Sequence, residues 1–206
     1  ISIADALQET CDYKSSSIWY NHSRKLATEI GDDSAITAML YNRAALRLFN
    51  TRISALLDSH PDIEGCAVDI EAFSAQNYAD YTAENSMRWV FDMLRGQLCL
   101  LRGDYKMSLE ALGGATLSEQ LRGWPGVNCL RLADIAVAQA NLFPGHAYCS
   151  DESLLHLLET IPPGLPSGDV ALICHSCLRV LSTRKSPIEA GVRSRMESSL
   201  AEYQRE

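Results

Sequence analysis

Apolar residues recur at helical spacing along almost the whole chain. The first such stripe contains Ile18, Trp19, Leu26, Ala27 and Ile30, and it predicts a helix from Ile18 to Ile30. Trp is highly buried on average, so Trp19 and Trp89 are expected in the core, whereas Trp124 lies in a Gly/Pro loop and is expected to be accessible. Gly31 is predicted to end the first helix, and Asp32 or Asp33 to cap the next one.

The same pattern predicts nine helices in total, and strand-like alternation is nearly absent. The other eight are expected at Ser34–Leu57, Ile63–Glu84, Met87–Arg102, Asp104–Leu112, Val127–Leu142, Asp151–Thr160, Asp169–Leu181 and from Pro187 to the end. The expected capping residues include Asn85 or Ser86, Ser150 or Asp151, and Ser186. The fold class is therefore predicted to be all-α. Its short connections favour antiparallel packing of successive helices.

Composition narrows the class of protein. The 206 residues are 47% hydrophobic and 21% charged, which is typical of a globular chain and excludes a disordered one. The net charge of −8 argues against a nucleic-acid-binding surface covering the domain, and no apolar run approaches the roughly 20 residues that span a membrane. Seven cysteines are spread through apolar stretches, which favours a reducing, cytoplasmic location.

Longer helices are expected to begin near residues 34, 86, 127 and 169, so the last two spacings (86 to 127 and 127 to 169) are 41 and 42 residues. The segment Met93–Leu112 carries Gly96, then Gly103-Asp104-Tyr105, with Ser108 in the following helix. This segment resembles the tetratricopeptide repeat (TPR), in which a small residue in the first helix lets the second approach closely. Ser108 stands where the family usually has Ala. A second match runs from Lys25 to Leu46 and includes Leu40, Tyr41, Asn42 and Ala44.

The resemblance implies a TPR-like α-solenoid of antiparallel helix pairs, forming one domain over residues 1–206 of what we expect to be a longer protein. Such arrays hold a protein segment or a small molecule against the first helices of their pairs. The phrase A-x-E-I-G-D at Ala27–Asp32 resembles repeats found upstream of diguanylate cyclase output domains and in transcription activators. We therefore expect a non-catalytic sensory or regulatory module of a bacterial signalling protein. A scaffold or chaperone that docks a partner is the alternative.

Polar and aromatic residues of the first helices are the candidate binding residues. They are Tyr41, Arg43, Arg47, Arg88, Trp89, Asp92, Arg95, Arg131 and Asp134. Arg47 and Arg95 have the planar, two-pronged donors that hold a carboxylate or phosphate. The alternative is an ordinary solvated face in which Arg88 and Asp92 form an i,i+4 pair.

Other chemistry has weaker support in the sequence. Cys174 and Cys177, with His146 and Cys149, form a partial zinc pattern, but both Cys174 and Cys177 lie in an apolar helical stretch, so no metal or other cofactor is expected. Carboxylates such as Asp69 and Glu71 are expected to be exposed, and no catalytic motif is present. The helix over residues 187–206 is expected to cap the array or to connect to a further domain, with a homodimer as a possible consequence.

Overall fold

A computed structural model describes residues 2–10, 12–57, 66–82 and 88–205. These residues form eleven α-helices and two short 3-10 turns, at Leu121–Gly123 and Ala147–Cys149, with no strand among them. The helices are α1 (Ser2–Glu9), α2 (Tyr13–Ile30), α3 (Asp33–Leu57), α4 (Cys66–Thr82), α5 (Arg88–Arg102), α6 (Tyr105–Leu112), α7 (Ala115–Gln120), α8 (Pro125–Leu142), α9 (Asp151–Glu159), α10 (Ser167–Leu181) and α11 (Glu189–Tyr203). The all-α class is confirmed.

Several predicted helix ends are confirmed by their capping hydrogen bonds. The side chains of Asp32, Asp104 and Ser150 accept bonds of 2.9, 3.2 and 3.2 Å from backbone N–H groups three residues further on. Such bonds satisfy donors that the first helical turn leaves unpaired. Gly31 ends α2 in the left-handed conformation, with φ of 71°.

Other predicted boundaries differ from the structure. Helices α1 and α7, of eight and six residues, were not predicted, and the N-cap of α7, Gly114, has no side chain that could signal the start of a helix. Helix α11 begins at Glu189, two residues later than predicted. The Ser186 hydroxyl donates to Asp151 and accepts from the N–H of Ile188 over 3.4 Å, so it bonds to the turn before α11 and not to the helix itself. The predicted ends at Ile63, Glu84 and Met87, and the caps at Asn85 and Ser86, lie outside the described residues.

The chain divides into two compact units, Ile1–Arg95 and Gly96–Glu206. In the first unit, α3 packs against α1, α2 and α4, and α1 also packs against α2. Two small apolar clusters hold these contacts: one contains Ala4, Tyr20 and Met39, and the other Ala75, Ala79, Val90 and Phe91. The expectation of one domain over residues 1–206 stays a prediction.

The second unit has a larger apolar core among the described residues. Helix α8 lies at its centre and packs against α6, α9 and α10, while α10 also packs against α11. Small residues of α8 at Ala133, Ala136 and Ala138 are almost completely buried, which allows neighbouring backbones to approach. Leu154, Ile173 and Leu181 fill the same core from α9 and α10.

The step from α5 to α6 has the local geometry that the repeat resemblance implies. A Cβ atom added to Gly96 would lie 2.4 Å from Cγ of Leu112, so any other residue at this position would force the Leu112 side chain to move. Gly103 makes the turn with φ of 76°, a backbone conformation that residues with a Cβ atom rarely adopt. A tight α5–α6 hairpin is therefore present, whereas the arrangement of all the helices as a solenoid stays a prediction.

Three arginines of the second unit donate to backbone carbonyls at the ends of helical segments. Nε of Arg131 lies 2.6 Å from the carbonyl oxygen of Leu112, the last residue of α6, and Nη1 of Arg195 lies 2.9 Å from that of Leu158 in α9. Arg184 donates to the carbonyl of Cys149. The last turn of a helix leaves carbonyls without partners, so these charged donors stabilise helix ends from a distant part of the chain.

Candidate functional site

Two arginines of α3 hold a carboxylate of α4. Nη2 of Arg43 and Nη1 of Arg47 lie 2.8 and 3.1 Å from the same oxygen, Oε1 of Glu71. Residues 43 and 47 are one turn apart, so both side chains point from one face of α3 toward α4. The carboxylate that these arginines bind in this structure thus belongs to the chain itself.

A second set of contacts extends this group to α1 and α2. The guanidinium carbon of Arg43 lies 6.0 Å from the ring centre of Tyr20, which is within the range of a cation–π contact. The Tyr20 hydroxyl donates to Oδ1 of Asp5, and Nδ2 of Asn42 donates to Oδ2 of Asp5 over 3.2 Å. We call Asp5, Tyr20, Asn42, Arg43, Arg47 and Glu71 the Glu71 network. It joins helices α1 to α4 of the first unit and contains two cations and two carboxylates.

Burial shifts the titration of this network. Burial raises the pKa of the Glu71 carboxyl more than the guanidinium groups of Arg43 and Arg47 lower it. Burial also raises the pKa of the Tyr20 phenol, and the hydrogen bond to Asp5 raises it further. The charged groups of the Glu71 network bind other members of the network, as in an ion-pair cluster that stabilises a fold.

The expectation that Glu71 is exposed is wrong, because only 12% of its side chain is accessible. A signal was present in the sequence: Ala75 and Ala79, four and eight residues further on, are both buried and lie on the same face of α4 as Glu71. The burial of this face of α4 was not predicted because its other members, Ala75 and Ala79, are small and give a weak apolar pattern. The side chain of Asp69 lies outside the described residues.

The aromatic candidates Tyr41 and Trp89 pack against the second apolar cluster of the first unit. The rings of Tyr41 and Phe91 meet edge to face, with centroids 5.8 Å apart and planes at 88°. Burial raises the pKa of Tyr41 to about 12. These two aromatic side chains therefore contribute to packing, and each keeps only part of its surface accessible.

Asp92 and Arg95 are about half exposed, and their charged groups lie 4.0 Å apart on α5. An ion pair of this kind at the surface contributes little to stability. Asp92 is therefore paired with Arg95 at i,i+3. The side chain of Arg88, the partner expected from the sequence, lies outside the described part.

The structure does not place Arg131 and Asp134 on an accessible wall. Both are buried in α8 of the second unit. Besides its bond to Leu112, Arg131 donates to Asn128 over 3.2 Å, and burial lowers its pKa. Asp134 accepts hydrogen bonds from Ser176, at 2.8 Å, and from Gln97, at 3.4 Å. A buried charge requires such partners, so we interpret both residues as structural.

The partial zinc pattern is not assembled. Within the described ranges, no group of three or more His, Cys, Asp or Glu side chains has the geometry to hold a metal ion. His146 is exposed and stacks on Tyr148, whereas the Cys149 thiol lies 3.3 Å from the carbonyl oxygen of Ala136. Burial raises the pKa of Cys174 to about 11 and of Cys177 to about 12, which keeps both thiols protonated and unreactive at neutral pH.

The largest departure from the sequence-based expectation is on α2. Ile18, Trp19, Leu26 and Ile30 are exposed by 63, 42, 50 and 77%, so the expectation that Trp19 is buried is wrong. Trp19, Leu26 and Ile30 lie within about 40° of one another on the helix, and we call these three residues the α2 stripe; Ile18 lies about 100° round the helix from Trp19. Helix α2 buries a different face, formed by Ser16, Tyr20 and Ala27, against the rest of the unit. It therefore has one face that packs within the unit and a second apolar face that remains accessible.

Comparison with protein-family models, curated proteins and solved structures gave no match for this chain. No helix in the described segments is long and apolar enough to cross a lipid bilayer.

Proposed function

We propose that this chain is a non-catalytic helical-repeat module that binds a segment of a partner protein and serves as the regulatory part of a larger protein. The α2 stripe carries the proposal. Scattered exposed apolar residues are ordinary in soluble proteins, but several on one accessible helix face are typical of a protein–protein contact.

A protein segment is favoured over a small molecule by the surroundings of the candidate residues. A small-molecule site is usually a concave apolar pocket with a few converging polar groups. Tyr41 and Trp89 instead pack against the unit's own apolar cluster, and Arg43 and Arg47 already bind Glu71. A cavity of about 400 Å³ beside α11 is lined mainly by polar side chains, among them Glu189 and Arg193, which pair with each other at 2.7 Å.

The regulatory part of the proposal rests on the resemblance to repeats of bacterial signalling proteins. The α5–α6 hairpin supports it locally, since Gly96 and Gly103 have the roles that the repeat requires. A partner that binds one helix face shifts the population toward the arrangement of helices it prefers, and this is how binding in such a module would alter an attached output.

The test is selection of peptides from an unbiased displayed library on the purified chain, followed by affinity measurement. We expect selected peptides to bind the Leu26→Ser/Ile30→Ser variant at least about tenfold more weakly, because the variant removes two apolar side chains of the α2 stripe. Both side chains are exposed, so their replacement should leave the chain folded. The matched control is Phe143→Ser/Leu155→Ser, which changes two exposed apolar residues of the second unit. Failure to select any peptide, or equal binding by both variants, would overturn the proposal.

A further inference from the structure

We propose that the junction between α1 and α2 has a second, straight form, in which residues 2–30 make one continuous helix and α1 of one copy packs on α2 and α3 of a second copy. The exchanged contacts lie on the buried face of α2 that contains Tyr20, and the α2 stripe has no part in them. The dimer is therefore independent of the proposed function.

Three helix junctions of this chain have the same hydrogen bonds. At α1–α2, α2–α3 and α5–α6, the N–H of an aspartate donates to a carbonyl five residues earlier over 2.9 Å, and the carboxylate of that aspartate accepts a bond from the first turn of the next helix. The three residues are Asp12, Asp32 and Asp104. The backbone angles of Asp12 (φ −82°, ψ 69°) and Asp104 (φ −81°, ψ 72°) are nearly the same. These bends are therefore built alike.

The residue before the aspartate distinguishes the first junction from the other two. It is Gly31 at α2–α3 and Gly103 at α5–α6, with φ of 71° and 76°. At α1–α2 it is Cys11. A helix that ends through this type of hydrogen bond usually has glycine at that position, because a Cβ atom disfavours the left-handed backbone conformation. The sequence therefore favours the bend less strongly at α1–α2 than at the other two junctions.

The residues around this junction are also compatible with one unbroken helix. Neither Gly nor Pro occurs before Gly31. The N–H of Thr10 still donates to the carbonyl of Ala6, four residues earlier, as in a helix. The φ of Asp12 is close to the helical value, and its ψ of 69° differs from the helical value of about −42°. Straightening exchanges the two bonds of Asp12 for helical backbone bonds, so few hydrogen bonds are lost.

Helix α1 is held in its place by few contacts. It has eight residues, and Ala4 is the single buried one among its described side chains. A helix of this length is unstable by itself in water, whereas a longer one gains from each added residue. Continuation into α2 therefore stabilises α1 when it leaves its place.

The surface that α1 leaves requires a new occupant. Ala4 is buried there with Tyr20 and Met39. Asp5 accepts hydrogen bonds from the Tyr20 hydroxyl and from Nδ2 of Asn42. An empty surface would expose two large apolar side chains and leave both donors without this partner. Helix α1 of a second copy has the same residues and restores each contact. The reciprocal exchange closes a two-fold dimer.

The experiment measures the monomer–dimer equilibrium of the whole chain by size-exclusion chromatography with light scattering, under reducing conditions. The Cys11→Gly variant gives the first junction the glycine of the other two. We expect its dimer association constant to fall at least about tenfold, because glycine favours the bend and disfavours the straight helix in both copies. The matched control is Cys11→Ser, which has a similar size and helix propensity and should change the constant less than about twofold.

A second pair of variants shifts the equilibrium in the opposite direction. Asp12→Ala removes the 3.1 Å cap to the N–H of Ser15, which the bent form uses and the straight form does not. We expect the association constant to rise about tenfold. Asp104→Ala removes the equivalent 3.2 Å cap of α6, where Gly103 favours the bend, and should leave the equilibrium unchanged. Circular dichroism confirms that each variant is folded.

Three outcomes overturn the proposal. The first is a chain that stays monomeric up to about 1 mM both as wild type and as Asp12→Ala. The second is a dimer whose association constant is the same in Cys11→Gly as in Cys11→Ser, since such a dimer forms without straightening. The third is a dimer that Leu26→Ser/Ile30→Ser abolishes, because it then uses the α2 stripe. Peptide selection on the monomer tests the proposed function separately in every case.

Discussion

The two units use the same residue types in different ways. In the first, Arg43 and Arg47 bind a carboxylate, and four large apolar residues of α2 face solvent. In the second, Arg131 and Arg195 donate to helix-end carbonyls, and the core is continuous from α8 to α11. Among the described residues, the second unit has the larger apolar core, and the exposed apolar residues of α2 on which the proposed function rests lie in the first.

The largest expected effect is the difference in unfolding free energy between a variant that truncates a buried leucine of the second unit and one that truncates an exposed leucine of α2. Leu154→Ala should lower the free energy of unfolding by about 2–5 kcal/mol, because Leu154 is almost completely buried and its loss leaves a cavity. Leu26→Ala, in the α2 stripe, should change the free energy of unfolding by less than about 0.5 kcal/mol. Urea denaturation of both variants measures the contrast. Similar losses of stability in the two variants would show that Leu26 packs against a part of the protein other than the helices α1 and α3 that contact α2.

The second prediction compares the arginines. Arg131→Met keeps an unbranched apolar side chain but removes the donor to Leu112, and it should cost about 1–3 kcal/mol because a buried carbonyl loses its partner. Arg47→Met should cost less, since Arg43 continues to bind Glu71. Urea denaturation of the two variants decides the order. A larger loss for Arg47→Met would place the more important arginine in the first unit.

The third prediction concerns two buried hydroxyls, one in each unit. Thr37 and Ser108 are fully buried, and their oxygens have no hydrogen-bond partner among the described residues. Thr37→Val and Ser108→Ala should each stabilise the chain by about 1 kcal/mol, because an unpaired buried hydroxyl is costly. Thermal unfolding of each variant measures the gain. A loss in either variant would show that its hydroxyl has a bonding partner in solution.

The smallest effect is a pH dependence specific to the first unit. The folded state raises the pKa of Glu71 above its ordinary value of 4.5, so Glu71 favours folding most at low pH, and this contribution is lost as pH rises through the raised pKa. Unfolding free energies of wild type and Glu71→Gln should therefore diverge as pH increases above about 4.5, with wild type losing stability relative to the variant. A gap that narrows with pH would mean that the arginines dominate the titration.

The sequence predicts helices well where a long apolar period and a capping residue coincide. Asp104 and Ser150 are examples, since each cap depends only on neighbouring residues. The face of a helix that is buried depends on distant partners, and this is why Trp19 was expected inside and Glu71 outside. Arg131 and Asp134 were predicted as binding residues because a buried charge and an exposed one look alike in sequence. The close approach of Leu112 to Gly96 was expected only from the resemblance to the repeat, not from the local sequence.

The arginine-to-carbonyl bonds of the second unit also bear on how the chain folds. Arg131 and Leu112 are 19 residues apart, and Arg195 and Leu158 are 37 residues apart, so these bonds form only after separate helices have met. We expect these bonds to form after the folding transition state, because each needs two helical segments to be already aligned. Their removal is therefore expected to accelerate unfolding while the refolding rate stays nearly constant, which makes them determinants of the lifetime of the folded state.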